Sequence, residues 1–225
     1  MPDATTLLKF RRLLETHDLC KGFFTAINAD LTARGLLLRE GTLVDATLIA
    51  APPSTKNAKK ERDLDMHQTK KGNQWYFGRM KAHIGADRDS KLVHTVVVTA
   101  ANVADITKTS ELLHGAEKQV HADAGYTGVE KRAEIVALER KIDWQIAGKR
   151  GTIKSMAEGA EKEAIKAVEK AKASVRAFLE HPFHIVKNLF RHRKVRCRGL
   201  AKNGHQLYTL FGLANVVIGS RTATT

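Results

Sequence analysis

The chain has 225 residues, a length that suits one compact domain with a small appendage. Hydrophobic residues make up 43% of it, which excludes a wholly disordered or fibrous protein, and two cysteines are too few for a disulfide-stapled scaffold. Lys and Arg number 38 against 24 Asp and Glu, and this net charge of +14 favours a polyanionic partner, most simply nucleic acid.

The N-terminal stretch has the spacing of two amphipathic helices over residues 5–35. Leu7, Phe10 and Leu14 belong to the first apolar stripe, and Gly35 is placed to end the second helix. The first residues mix acids with arginines, and the longest apolar run is broken by Gly and Asn. We therefore expect neither an export signal nor a membrane partner.

From Gly41 onward the pattern becomes that of strands. The alternation in TLVDATLIA predicts a first strand, which a pair of prolines ends. Residues 54–75 are polar, basic and without periodicity, which is typical of a long exposed loop. Four further strands are predicted at residues 76–86, 91–99, 118–124 and 143–147, and a turn at residues 87–90 would join the first two as a hairpin.

Helical patterns fill the remaining connections and the C-terminal part. They cover residues 103–115, 130–141, 154–179 and 182–217, the last with an interruption around 199–204. In the third of these helices, the side expected to be buried carries Ile165, Val168, Val175 and Phe178. An antiparallel hairpin followed by alternating helices and strands predicts an α/β fold with a mixed sheet flanked by helices.

Asp45 is out of place in the first predicted strand. The period of two puts it on one face with Leu43, Thr47 and Ile49, a largely apolar row. Burial of an isolated carboxylate costs several kcal/mol unless a partner neutralises it. Two explanations are open at this point: a salt bridge to a basic side chain, which is the commoner case, or a metal ion.

Two more acids raise the same question. Asp123 ends a short strand before Gly125, where a turn-forming Asp is the ordinary interpretation, although the strand ends of α/β sheets also build sites. Glu180 lies four residues after Arg176 and seven before Lys187. A continuous helix would carry these three on one face, with a surface ion ladder as the alternative to a functional role.

Three carboxylates that converge in a basic protein point to metal ions. Bare carboxylates repel one another, and oxygen ligands select hard cations such as Mg²⁺ or Mn²⁺. Two such ions about 3.5–4 Å apart clamp the attacking and leaving oxygens of a phosphoryl displacement. Since basic surroundings would hold a phosphate backbone, the residues favour metal-dependent cutting or joining of nucleic acid.

At these residues the sequence resembles a known family. The segments GTLVDATLIAAPPSTKN, HQTKKGNQW, KAHIG, ADAGYTG, LEHPFHIVK and KVRCRGLAKN are similar, in this order, to motifs of the DDE transposases of bacterial insertion sequences. The resemblance is to the group numbered five, which is related to the group numbered four, and it covers about residues 3–219. It implies a ribonuclease-H-like catalytic core in which a triad of Asp45, Asp123 and Glu180 holds two Mg²⁺ or Mn²⁺ ions.

The resemblance also implies partners and a location. The partners would be DNA, as transposon ends and as target, and further copies of the chain assembled as a homo-oligomer on that DNA. The location would be the bacterial cytoplasm, in association with the nucleoid. Hydrolytic cleavage would free a 3′-hydroxyl, which would then attack target DNA.

We expect the loop at residues 54–75 and the C-terminal tail to bind this DNA. Residues 181–225 contain eight Lys or Arg and no Asp or Glu, whereas an ordinary solvated face mixes both signs. The resemblance further suggests that Lys187 contacts phosphate near the cut. The predicted DNA-binding residues are Lys56, Lys59, Lys60, Lys70, Lys71, Arg176, Lys187, Arg191, Arg193, Lys194, Arg196 and Arg198.

The sequence departs from the family pattern in three places. Ala173 stands at a tyrosine position of the motif around the glutamate, and Arg79 is an extra residue in a Phe-Gly-Met-Lys run, which would flip the faces of a strand unless a bulge absorbs it. We also expect this chain to lack a longer helical DNA-binding segment that relatives carry ahead of the part matching Met1–Thr6. The predicted division is therefore a helical remnant at residues 1–40 and a catalytic domain at 41–225.

Two other functions stay open on the sequence alone. The chain could be a catalytically silent remnant that binds DNA without cutting it. It could also be a related nuclease that hydrolyses DNA without joining it. With the upstream segment missing, we expect little preference for transposon ends over random duplex.

Overall fold

A mixed sheet forms the centre of the protein in the computed structural model, which describes residues 2–52, 54–56 and 58–222. Within these ranges the sheet has six strands. They are β1 (Gly41–Ala50), β2 (His67–Lys71), β3 (Gln74–Asp87), β4 (Val93–Ala100), β5 (Gln119–Ala122) and β6 (Asp143–Ile146).

Helices surround the sheet, and several of them are short. The α-helices are α1 (Ala4–Thr16), α2 (Leu19–Ala33), α3 (Thr109–Leu112), α4 (Ala133–Val136), α5 (Arg150–Ser155), α6 (Ala160–Arg176), α7 (Glu180–His184) and α8 (Leu200–Thr222). Tighter 3₁₀ turns span Asp105–Lys108, Ala124–Tyr126, Val129–Lys131 and Ala177–Leu179, and a π-helical turn spans Ile185–Leu189.

The strand order confirms the predicted fold class. β1 lies in the middle, antiparallel to β3 on one side and parallel to β5 on the other, and β6 extends the sheet parallel to β5. β3 is long enough to pair with both β2 and β4, each antiparallel. A hairpin next to β1 followed by parallel strands gives a ribonuclease-H-like mixed sheet with flanking helices and an N-terminal helix pair.

The two faces of the sheet bury different clusters because side chains alternate along each strand. Leu43 and Ile49 of β1 pack in the larger core, together with α2, α8 and residues Leu179 and Ile185. Val44 faces the opposite way, into a smaller core. Every second residue of β1 therefore lies on the side covered by the α7 and α8 layer.

Helix α8 is fixed to the sheet and to α2 by a buried polar contact. Asn215 accepts a hydrogen bond from the Val93 N–H at 2.8 Å and donates to the Val93 carbonyl at 2.7 Å and to Asn28 Oδ1 at 2.7 Å. Phe24 of α2 is part of the larger core, whereas α1 contributes no buried residue. The proposed division at residue 40 stays a prediction.

The structure corrects the prediction of a continuous loop at residues 54–75. Its last part forms β2, which turns at Gly72, with φ +60°, into β3. The sequence HQTKK is polar, so no apolar alternation marks it as a strand, and pairing to β3 rather than burial of a face stabilises it.

The helix predictions also needed correction. The pattern at residues 130–141 gives only a 3₁₀ turn and α4, and the one at 154–179 is divided between α5 and α6. Val168 is 54% and Phe178 38% exposed, whereas Val175 packs against the larger core, so only part of the predicted side is buried. The buried residue of α6 is Lys162, whose ammonium donates to the carbonyls of Lys154 and Met156 and thereby closes the turn between the two helices.

The break in the C-terminal helical region lies earlier than residues 199–204. The π-helical turn ends at Leu189, and Arg191 has a left-handed φ of +56°. The backbone then runs beside the end of β1, where the Val195 N–H donates to the Ala50 carbonyl at 2.8 Å. Pairing with the sheet therefore ends the helix, and α8 begins at Leu200.

Candidate active site

Asp45 and Asp123 come from neighbouring parallel strands at the same level of the sheet. The pairing of β1 with β5 ends at Leu43 opposite His121. Asp45 lies two residues further along β1, and Asp123 lies two residues further along the chain, directly after the end of β5. Adjacent strands are about 4.8 Å apart, and the alternation along β1 puts Asp45 on the side that α7 and α8 cover. The negative charge of Asp123 acts on Asp45, which shows that the two carboxylates are close. The structure thus brings together the two acids that the sequence places 78 positions apart.

Local hydrogen bonds orient both carboxylates. Asp45 Oδ1 accepts from the Ala46 N–H at 2.7 Å, and Asp123 Oδ1 accepts from the Gly125 N–H at 2.8 Å. Asp123 therefore does form the turn expected of Asp before Gly, as N-cap of the Ala124–Tyr126 turn. The turn directs the carboxylate to the end of the strand and is compatible with a ligand role.

Neither carboxylate has an ion-pair partner within 4 Å in the described part of the chain, so the salt-bridge explanation for Asp45 is wrong. Burial of Asp45, reinforced by the negative charge of Asp123, raises its pKa to about 6, although the Ala46 N–H and Lys71 act in the opposite direction. Burial is the larger cause, so Asp45 holds a proton more tightly than an exposed carboxyl group does.

Glu180, the third predicted acid, lies in the same layer but is not joined to this pair. It is the first residue of α7 and is exposed, directly after Leu179, which packs in the core beneath the same face of β1. Across residues 2–52, 54–56 and 58–222, no three His, Cys, Asp or Glu side chains lie close enough to hold one metal ion. Its role as a ligand stays a prediction.

Basic side chains border the carboxylate pair on the covered face. Lys187 donates to Thr47 Oγ1 at 2.5 Å, and Thr47 is on the same face of β1 as Asp45. Burial lowers the pKa of Lys187, and the positive charges of Lys71, Arg193 and Arg79 lower it further. Lys187 therefore has three other cations around it, and of these Lys71 also acts on Asp45.

Arg79 is a member of this group that the sequence analysis identified only as an extra residue. The register of β2 against β3 shifts between His67 and Thr69, which lie opposite Arg79 and Tyr76. Two residues of β3 thus face one residue of β2, and Gly78 in this stretch has φ +55°. The bulge absorbs the extra residue, and the pairing of β3 with β1 continues without interruption from Arg79.

A comparison with protein-family models shows the family to which the chain belongs. The model described as the transposase DDE domain matches residues 37–216. The chain belongs to the DDE transposase family. No solved structure matches it, and no described helix has the length and apolarity that a membrane span requires.

The kinship assigns this domain to a family of phosphoryl-transfer enzymes that act on DNA and typically use divalent metal ions. The donor set of this DDE domain fits such an ion, because Asp45 and Asp123 are adjacent and supply the oxygen ligands that hard cations prefer.

A further acid of the DDE domain, Asp105, acts on Asp45. Asp105 forms an ion pair with Lys81 at 2.8 Å and lies 3.7 Å from His83, and its charge adds to the raised pKa of Asp45. Burial lowers the pKa of His83 to about 4, so this imidazole is neutral near pH 7. The motif KAHIG indicated Lys81 and His83 in the sequence, but Asp105 had no signal of its own.

The remaining predicted DNA-binding residues are distributed over two regions of the surface. Lys71 and Arg193 belong to the group around Lys187. Arg196 and Arg198 line a second cleft, of about 670 Å³, together with Arg11 of α1. The others are exposed or half-buried: Lys56, Lys59, Lys60, Lys70, Arg176, Arg191 and Lys194.

The basic tail and the loop before β2 contact each other. Arg198 donates to the Arg62 carbonyl at 3.0 Å, and the backbone N–H groups of Gly199 and Leu200 donate to Asp63 and Asp65 at 2.8 and 2.9 Å. These two aspartates cap the start of α8, where carboxylates are favourable. The two segments predicted to bind DNA therefore form one continuous surface of the DDE domain.

Proposed function

We propose that this protein catalyses DNA strand cleavage and strand transfer during transposition of a bacterial insertion sequence of the group numbered five. The observation that carries the proposal is the proximity of Asp45 on β1 to Asp123 directly after β5, without an ion-pair partner among the described residues and with Lys187 bound to Thr47 on the same face of β1 as Asp45. Neighbouring carboxylates repel each other unless a cation separates them, and such pairs are typical of functional sites.

The residues that would hold Mg²⁺ or Mn²⁺ are Asp45, Asp123 and Glu180. When bound, two such ions supply Lewis-acid stabilisation of the attacking and leaving oxygens of a phosphoryl transfer. The chain itself positions the phosphate: the Lys187 ammonium is held on the carboxylate side of the sheet by Thr47. Its positive charge would bind a phosphate oxygen next to the reacting group.

Glu180 is proposed to complete the ligand set when DNA and metal bind. The helix around it is irregular, since a 3₁₀ turn precedes it and a π-helical turn follows α7. Such turns occur frequently at functional sites and leave a short helix free to shift. The exposure of Glu180 leaves its carboxylate accessible for that movement.

Binding of DNA without cleavage is the second candidate function. The observation in its favour is that no group of three acids forms a metal site in the described ranges. It would use the basic surface alone and would need none of the carboxylates.

Two assays separate these functions and the third possibility, a nuclease that does not join DNA. Incubation of the full chain with supercoiled plasmid and Mn²⁺ should yield nicked circles, and EDTA should abolish them. Binding without any nicking would favour the silent remnant. Oligonucleotides with precut transposon ends should then be joined to a target plasmid, and nicking without joining would identify a simple nuclease.

A further inference from the structure

Two aromatic side chains at the tip of the β2–β3 hairpin are exposed without a partner in the core. Trp75 is 52% and Phe77 62% exposed. Their ring centroids are 6.4 Å apart with 22° between the planes, so they form a stacked pair on one face of β3. Neither ring belongs to either hydrophobic core.

The surroundings of this pair are cationic. Trp75 lies directly opposite Lys70 in the pairing of β2 with β3, and Lys71 follows at the turn. From His67 to Arg79 the sequence contains no Asp or Glu. An exposed aromatic platform with lysines at its edge matches the way in which single-stranded nucleic acid is bound, by stacking of bases and ion pairing of phosphates.

The opposite face of the same hairpin is directed to the candidate active site. The Arg79 guanidinium lies 5.8 Å from the centre of the Tyr76 ring. The charges of Lys71 and Arg79 act on Lys187, and that of Lys71 also acts on Asp45. A DNA strand bound at the carboxylate pair would therefore lie close to the cations of this hairpin.

We propose that Trp75 and Phe77 form a stacking platform for an unpaired base of the DNA substrate. The inference rests on the proposed function in that DNA is the substrate, and it adds that the strand is locally unpaired beside the hairpin. Stacking is independent of base identity because every base has an aromatic face. The platform would thus hold a displaced strand without selecting its sequence.

Charge favours a nucleic acid over a protein as the occupant. A second copy of this chain would bring its own net charge of +14 to a basic hairpin, and like charges oppose such an association. A DNA strand supplies negative phosphates to Lys70 and Lys71 and apolar bases to the two rings.

The test compares oligonucleotides that differ only in pairing. The full chain is titrated in EDTA, by fluorescence anisotropy, with a labelled duplex and with the same duplex carrying a short stretch of unpaired bases. Trp75→Ala should weaken binding to the second DNA about five- to a hundredfold and change binding to the first less than about twofold. Phe23→Ala removes an aromatic side chain of similar exposure, 46%, from α2 and serves as the matched control.

Tryptophan fluorescence gives an independent readout. The chain has two tryptophans, and Trp144 is half-buried against the smaller core, so Trp144→Phe leaves Trp75 as the only emitter. Unpaired DNA should quench its fluorescence, and fully paired duplex should not. Equal affinity of Trp75→Ala and parent for both DNAs would overturn the inference, as would a change of oligomeric state in place of the change in DNA binding.

The outcome is separable from that of the proposed function because these measurements contain no metal ion. If the parent protein nicks plasmid and Trp75→Ala binds unpaired DNA as tightly as the parent does, the stacking proposal is wrong and the cleavage proposal stands. Selective weakening of DNA binding in Trp75→Ala together with no nicking by the parent would overturn the cleavage proposal alone.

Discussion

At the scale of single residues, Asp45 is where the sequence and the structure agree most closely. Its position in an apolar row indicated a carboxylate in need of a partner, and the structure supplies Asp123 beside it instead of a basic side chain. In the metal-free protein the ionised Asp45 is therefore unfavourable, and its effect on the free energy of unfolding can be measured.

Replacement of Asp45 by Asn should stabilise the metal-free protein at neutral pH. The folded state raises the pKa of Asp45 from 3.8 to about 6, so it binds the proton more tightly than the unfolded chain does. Stability from this group is present below about pH 4 and is lost as the pH rises through about 6. At about pH 7.5 in EDTA, urea titration should give Asp45→Asn a free energy of unfolding about 1–3 kcal/mol higher than that of the parent.

The pH dependence and a control make this prediction specific. The difference should shrink as the pH falls through about 6 and disappear near about pH 3, below the ordinary pKa of 3.8, where the parent Asp45 is protonated in both states. Asp30→Asn, which removes an exposed carboxylate 3.5 Å from Arg34, should show no such gain at either pH. If Asp45→Asn raised the free energy of unfolding equally at both pH values, the ionisation of Asp45 could not be the cause of the gain.

At the scale of elements, the proposal that the basic tail binds the phosphates of DNA can be tested by mutation. Five of its residues are proposed to contact phosphates: Arg191, Arg193, Lys194, Arg196 and Arg198. Their joint replacement by Gln should flatten the dependence of DNA affinity on salt, because each neutralised phosphate adds about 0.9 to the steepness of the log–log slope. Filter binding between about 50 and 200 mM salt measures the slope.

Five exposed lysines elsewhere provide a control with the same change of charge. These are Lys131, Lys141, Lys154, Lys166 and Lys170. Their replacement by Gln should change the slope much less than replacement of the tail residues. Equal slopes for the two variants would show that overall charge, and not this surface, binds the DNA.

Helix α8 should depend on its buried asparagine. Asn215→Ala removes three hydrogen bonds and leaves the buried Val93 N–H without an acceptor, which should cost about 2–3 kcal/mol of unfolding free energy. Val216→Ala, at the neighbouring position with 47% exposure, should cost less than about 0.5 kcal/mol. Similar costs for both variants in urea titrations would show that the asparagine contact is not what fixes the helix.

The sequence predicted elements well where burial determines them. β1, β3 and β4 follow from apolar alternation, whereas β2 is polar and depends on its pairing with β3, which no local pattern reveals. The spacing from Glu180 to Lys187 assumed a continuous α-helix. The π-helical turn changes the rotation between these residues, so their relative placement could not be derived from the spacing.

At the scale of the whole molecule, one sheet organises both the candidate chemistry and the DNA surface. The carboxylate pair lies on β1 and directly after β5, and the cation cluster around Lys187 comes from the β2–β3 hairpin, the π-helical turn and Arg193. The basic tail pairs with the end of β1. Proximity of these segments, which are distant in sequence, required the strand order and could be anticipated only through the family resemblance.

The central claim, that Asp45 and Asp123 are the catalytic carboxylates, is tested most directly by metal-dependent nicking of supercoiled DNA by the full chain. We predict that Asp45→Asn and Asp123→Asn each reduce nicking with Mn²⁺ to the background seen with EDTA. Both should still bind DNA at least as tightly as the parent, since each variant removes a negative charge near phosphate, and Asp30→Asn should nick normally. Nicking by either active-site variant at the rate of the parent would contradict the account.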